Sequence, residues 1–179
     1  MKNLDKYSGI KLDIGCGANK QPGWVGMDLQ PLEGVDIVHD LLDIPWPLED
    51  ESVLAAMCSH VMEHIPKTQV ISKNRKLKTI HPFIMVMDEV WRVMKPDGHF
   101  MIAVPHGASP GFLQDPTHTS QINENTWAYF DPEAFGGVLY NFYQPKPWKI
   151  KADANGEPQM YFDPSGNVEV VLIKRRDDS

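Results

Sequence analysis

Near the N-terminus the run Leu12-Asp13-Ile14-Gly15-Cys16-Gly17 carries a short apolar stretch into a glycine-rich turn. Such a turn lets a ligand lie against bare backbone, because a Cβ would hold it off, and it permits positive φ. Asp28 ends the next apolar stretch, where a carboxylate can accept hydrogen bonds from both ribose hydroxyls of a nucleoside. Asp40 follows a third apolar run and stands where a side chain can reach an adenine amino group. Alone, D-x-G-x-G is a weak signal, since glycine turns after strands are common. Acidic residues at successive strand ends strengthen it, because the carboxyl ends of parallel strands form the ligand crevice.

Those residues need a sheet to hold them. Ile10–Ile14, Trp24–Leu29, Val35–Val38, Val53–Cys58 and Phe100–Val104 are short and mostly apolar, as strands of a doubly covered parallel sheet are. Phe83, Val86, Met87, Val90 and Met94 form one stripe at the 3.6-residue period, which predicts a helix. Pro82 suits its first turn, and Lys95-Pro96-Asp97-Gly98 turns the chain into the Phe100 strand. Gly107–Gly137 is different, rich in Pro, Gly, Asn and aromatics, with short helical pieces such as Asn125–Phe130. Trp148–Ala152, Gln159–Phe162 and Val168–Arg175 read as antiparallel strands closing one edge, with Asn155-Gly156 and Asp163-Pro164-Ser165-Gly166 as turns. The pattern predicts an α/β mixed sheet.

Two further runs carry a family resemblance. Ser59-His60-Val61-Met62-Glu63-His64 follows the fourth strand, and Glu89-Val90-Trp91-Arg92-Val93-Met94-Lys95-Pro96-Asp97-Gly98 joins the helix to the fifth. With the glycine turn they make the chain resemble a class I S-adenosylmethionine-dependent methyltransferase over about Ile10 to Pro105. The resemblance implies a Rossmann-like sheet, mostly parallel with an antiparallel C-terminal edge and helices on both faces. It implies one domain over residues 1–179, with 107–137 as an acceptor-side loop. S-adenosyl-L-methionine is the implied cofactor, with Asp13 helping to hold its ammonium and Gly15, Cys16 and Gly17 forming the turn beneath it. Asp28 would bind the ribose, Leu29 would pack on the adenine, and Asp40 with the Leu41 backbone would read the adenine edge. His60 would sit beside the sulfonium at the end of the fourth strand, with Ser59 also among the cofactor-binding residues. Two departures stand out. Ala18–Gly23 is too short for the usual crossover helix, which predicts a loose turn and an open adenosine pocket. A sub-group with a similar Gly-Cys-Gly, short link and Pro22-Gly23-Trp24 shares this feature. Asp97 also stands where glycine is common, a mild change compatible with an Asp-Gly turn.

Methyl transfer needs alignment first, and a general base only where the nucleophile carries a proton. His60 is read either as that base or as a wall of the pocket. Glu63 and His64 read as capping and packing a short helix. His106 directly follows the fifth strand, at the mouth of the crevice. In Gln114-Asp115-Pro116-Thr117-His118, Asp115 either orients His118 as a base or belongs to a solvated turn. Seven histidines invite a metal reading, but no H-x-x-x-H pair is backed by a third ligand at helical spacing, so no metal is expected. The basic run Lys73-Asn74-Arg75-Lys76-Leu77-Lys78 reads as a solvated loop, or as a lid or an anionic-substrate contact. Trp127, Tyr129, Phe130 and Phe135 read as core beneath a loop or as an acceptor wall.

A net charge of −7 argues against general affinity for nucleic acid or anionic membrane. No Asn/Asp-Pro-Pro-Tyr/Phe motif or Pro-Cys nucleophile supports a DNA base as acceptor, while RNA stays open. Two cysteines, Cys16 and Cys58, make no disulfide framework, and Met1–Ser8 lacks the apolar core of a signal peptide. The expected compartment is the cytoplasm, and the expected acceptor a small molecule. Two alternatives remain: a non-catalytic domain binding S-adenosylmethionine or S-adenosylhomocysteine, and an NAD-dependent oxidoreductase, which lacks the third glycine of its turn.

Overall fold

The computed structural model describes residues 7–73 and 75–176. Its first strands are β1 (Ile10–Ile14), β2 (Val25–Asp28), β3 (Ile37–Val38) and β4 (Val53–Ser59), close to the expected runs. A hairpin, β5 (Gln69–Lys73) and β6 (Lys76–Ile80), leads to α1 (Pro82–Val93) and the long β7 (Met94–Pro105). After α2 (Pro110–Leu113) and several 3-10 turns come β8 (Trp148–Ile150), β9 (Met160–Phe162) and β10 (Asn167–Lys174). The main sheet runs β3-β2-β1-β4-β7-β10-β8, with β9 also on β10. Pairs among β1, β2, β3, β4 and β7 are parallel, and β10 is antiparallel to β7, β8 and β9. This is the expected mixed sheet with its antiparallel C-terminal edge.

Strand alternation separates the two faces. Leu12, Ala56, Phe100 and Leu172 stand in register and are fully buried. The apolar stripe of α1 belongs to the same core, with Phe83, Val86, Met87 and Val90 all buried. Their neighbours in the next register, Met57, Met101 and Val171, stay partly accessible. Helices were expected on both faces, yet α1 is the only α-helix longer than four residues among those described. The links at 15–24 and 29–36 are too short to hold crossover helices, so that side is left thinly covered.

The Glu-x-x-Arg part of the helix-to-strand run has a structural use. Glu89 is buried, accepts the Trp46 N–H at 2.7 Å and pairs with Arg92 at 2.5 Å. Arg92 donates to the Leu48 carbonyl at 3.0 Å and meets Asp50 at 2.6 Å. The pair thus fastens the segment before β4 to α1. Met94 pairs with Val53 and His99 with Ala55, so residues 95–98 bulge out of the ladder within β7, where a turn between helix and strand was expected. Asp97 takes φ +64 there, a conformation Asp tolerates.

The basic run differs from a loop. It forms the end of the β5–β6 hairpin, a two-stranded sheet of its own with Ser72 opposite Leu77. Asn74 lies outside the described residues. No helix among those described is long and apolar enough to cross a membrane.

Candidate active site

Parallel strands β1, β2, β3 and β4 end on one edge, and the acidic residues gather there. Asp28 accepts the Gly17 N–H on Oδ2 and the Gln30 N–H on Oδ1, both at 2.9 Å. It ties the glycine turn to the end of β2 and keeps a lone pair on each oxygen for a ligand. Asp40 accepts the Leu42 N–H at 2.9 Å. Gly15, Asp28, Leu29, Asp40, Leu41 and Leu42 form one side of a cleft of about 310 Å³. Val61, His60, His64 and Ile65, just beyond β4, form the other. Leu42, Val61 and Ile65 were not expected in it; their flanking of the predicted residues was the only available signal.

The two glycines serve different ends. Gly15 has φ +67, and a Cβ there would fall 2.2 Å from Val61 Cγ2. Its bareness admits the post-β4 segment and not a ligand directly. Gly17 has φ +53 with open space around the missing Cβ, as an approach surface requires.

Asp13 and Cys16 lie behind the cleft. Asp13 is buried and accepts the Gln21 N–H at 2.9 Å, folding the 18–24 link back over β1. Burial holds its carboxyl above the usual range, opposed by that bond and by Lys20. Cys16 packs on Gly26, whose Cβ would lie 2.6 Å from Sγ. Burial, with the carboxylates of Asp13 and Asp28, pushes its thiol up and keeps it neutral. Ser59 ends β4, exposed. His60 follows at φ +56, its N–H donating to the Ala103 carbonyl at 2.8 Å.

A second, more polar cleft of about 360 Å³ adjoins the first. His60, Glu63 and His64 line it with Ser109, Gln114, Asp115, His118, Ser165 and Asn167. His60 and His64 therefore stand in the walls of both clefts. The loop 107–121 is sewn down to reach this place. Thr119 and Ser120 N–H groups both donate to the Glu63 carbonyl at 2.9 Å, and Ser120 Oγ to that of Ile65 at 2.5 Å. His118 is thereby brought to the end of β4, as its candidacy required.

Glu63 does not cap the 3-10 turn Met62–His64. It is fully buried, and neither carboxylate oxygen has a hydrogen-bond partner. His60 Nδ1 lies 3.6 Å and His118 Nε2 3.8 Å from Oε1, and Asp115 Oδ2 lies 3.7 Å from His118 Nε2. Burial pushes the Glu63 carboxyl up to about 7, opposed by its own backbone N–H and His118. Asp115 is held low by the hydroxyl and N–H of Thr117. Ligand atoms of Glu63, His64 and His118 fall within 4.8 Å of one another. Spacing along the chain could not show this set, because the third member arrives from a distant loop.

His106 is placed elsewhere. Its Nδ1 accepts the Ala108 N–H at 3.1 Å, its Nε2 lies 3.5 Å from Glu124, and its backbone bridges to Ile122. The turn before β10 covers it, the His106 N–H donating to the Gly166 carbonyl. Its ring supports the loop and lines neither cleft. Trp127 and Phe130 are core, Phe135 is exposed, and Tyr129 walls a separate apolar cleft with Phe83 and Tyr143.

No protein-family model matches the sequence, and no curated protein matches it either. Solved structures do resemble it. A S-adenosylmethionine-dependent methyltransferase from Archaeoglobus fulgidus is 16% identical with a TM-score of 0.57, over 96% of this chain and 88% of that one. The YcgJ protein from Bacillus subtilis is 15% identical with a TM-score of 0.54, over 95% and 93%. At these identities the likeness is one of fold, and the fold is that of Rossmann-like S-adenosylmethionine-dependent methyltransferases.

Proposed function

We propose that this protein binds S-adenosylmethionine in the Asp28–Asp40 cleft and directs its methyl group to a small polar acceptor in the adjoining one. The observation that carries the reading is the shared wall: His60 and His64 line both the nucleoside cleft and a second, more polar one. The residues fit the cofactor, since Asp28 keeps a free lone pair on each oxygen and Gly17 offers open backbone. Bound there, the cofactor would supply an electrophilic methyl on its sulfonium.

The chain's task is then alignment, which can be worth roughly 7–11 kcal/mol. Ser109, Gln114, Ser165 and Asn167 supply hydrogen bonds for a polar acceptor. Where that acceptor carries a proton, His60, the more exposed of the two imidazoles lining both clefts, is the first candidate for its base, and His118, with Asp115 beside it, is the second. A nicotinamide cofactor is not favoured: the 15–24 link presents no helix N-terminus to a pyrophosphate. Calorimetry with S-adenosylhomocysteine tests the first half and a methyl-acceptor screen with labelled cofactor the second. Absence of nucleoside binding by the wild-type protein would defeat the reading.

A further inference from the structure

We propose that Glu63, His64 and His118 form a binding site for one divalent transition-metal ion, open to the acceptor cleft. The strongest observation is the carboxylate of Glu63. It is wholly buried and faces both rings, and beyond a weak contact with its own backbone N–H no other group donates to it, where a buried carboxylate ordinarily finds donors.

The ring tautomers point the same way. His118 Nδ1 lies 2.9 Å from the Phe112 carbonyl, which can only accept, so Nδ1 carries the proton. In the neutral ring its Nε2 then turns a lone pair toward the carboxylates of Glu63 and Asp115, an arrangement that calls for a proton or a metal ion between them. His64 repeats the pattern. Thr117 Oγ1 gives its single proton to Asp115 Oδ1 at 2.6 Å and so must accept from His64 Nδ1 at 3.0 Å. That leaves Nε2 of His64 as a lone pair too. Imidazoles fixed through Nδ1–H to an oxygen, with Nε2 free, are the usual orientation of metal-ligating histidines.

The distances suit an ion. Ligands about 2.0–2.2 Å from one metal lie roughly 3.3–4.3 Å apart. Glu63 Oε1 and His118 Nε2 stand at 3.8 Å, and the full set spans 4.8 Å, which small side-chain rotations close. Two imidazoles and a carboxylate suit zinc, iron(II), cobalt(II) or manganese(II), with positions left open. Those positions face the cleft lined by Ser109, Gln114 and Asn167. On the proposed methyl-transfer reading, the ion would take a lone pair of the acceptor and hold it beside His60.

The experiment uses untagged protein, stripped with chelator and then freed of it. Zn²⁺ binding is followed by calorimetry and Co²⁺ binding by its visible ligand-field bands. One saturable ion per chain is expected, with Glu63→Gln and His118→Ala each weakening it by more than the roughly 10–100-fold typical of an outer-shell change. His99→Ala, an exposed histidine outside the set, should bind the ion as the wild type does. Each variant is also titrated with S-adenosylhomocysteine in chelator. Retained binding shows that it is folded, and if one variant fails there, the other decides. No saturable ion in the wild type, or wild-type affinity in a folded ligand variant, would overturn the metal site. Loss of nucleoside binding by the wild type would instead strike at the cofactor reading, leaving the metal result to stand by itself.

Discussion

Replacing Glu63 by Gln should change how stability depends on pH, and the structure gives the sign. The carboxyl is fully buried without a hydrogen-bonding partner, with His60 and His118 within 3.8 Å and Asp115 beyond them. Its pKa rises from the usual 4.5 to about 7 on folding. The folded chain therefore holds a proton that the unfolded chain releases between those values. The stability this group contributes is full below pH 4.5 and is lost as pH rises toward 7. The shift corresponds to about 3 kcal/mol, which relaxation and solvent screening reduce to roughly 1–3 kcal/mol. Gln keeps the shape without the titration. In chelator, the stability of the Gln variant relative to wild type should thus improve by that amount between pH 5 and pH 8. Urea denaturation at a series of pH values measures it. A difference that stays flat across that range, or moves toward Glu, would refute the reasoning. Adding Zn²⁺ at pH 7.5 should then favour the wild type, since an ion bound only by the folded form stabilises it.

Three other substitutions probe the frame. Asp28→Ala should weaken S-adenosylhomocysteine binding by about 1.5–3 kcal/mol or more, because a charged acceptor is lost and the Gly17 N–H is freed, readable by calorimetry. Gly15→Ala puts a Cβ 2.2 Å from Val61 at φ +67; thermal melts should show a loss of about 1–3 kcal/mol or more, and the nucleoside affinity should fall with it. Glu89→Ala leaves the Trp46 N–H without its acceptor and takes one of two carboxylates from Arg92, which keeps Asp50; it should cost about 1–3 kcal/mol in urea denaturation, with Glu89→Gln milder.

The parts of the fold that follow from local pattern were readable in the sequence. Short buried strands announce themselves by apolar runs, and α1 by its stripe, because burial on one face or two dictates residue type directly. Coverage of the second face was not readable from the family likeness, and the short links at 15–24 and 29–36 removed its helices. The cleft between Asp28 and Asp40 was legible for a related reason. Asp28 and Asp40 follow strand ends, so topology alone places them in its lining. The acceptor side depends on backbone bonds that carry no residue signature. His106 is next to a strand end in sequence, yet the Gly166 carbonyl and Ile122 cover it. His118 is far away in sequence, yet two N–H groups on the Glu63 carbonyl bring it to that carboxylate. The same stitches explain why Glu63 was misread. A glutamate in a short helical turn ordinarily reaches solvent or caps the turn. Here the turn sits beneath a loop that buries the carboxylate, and it is left facing two imidazoles whose Nδ1 atoms are engaged elsewhere. A carboxylate so placed is costly to fold around once pH rises past about 7 unless a cation joins it, and that cost is what makes the site testable without knowing the acceptor.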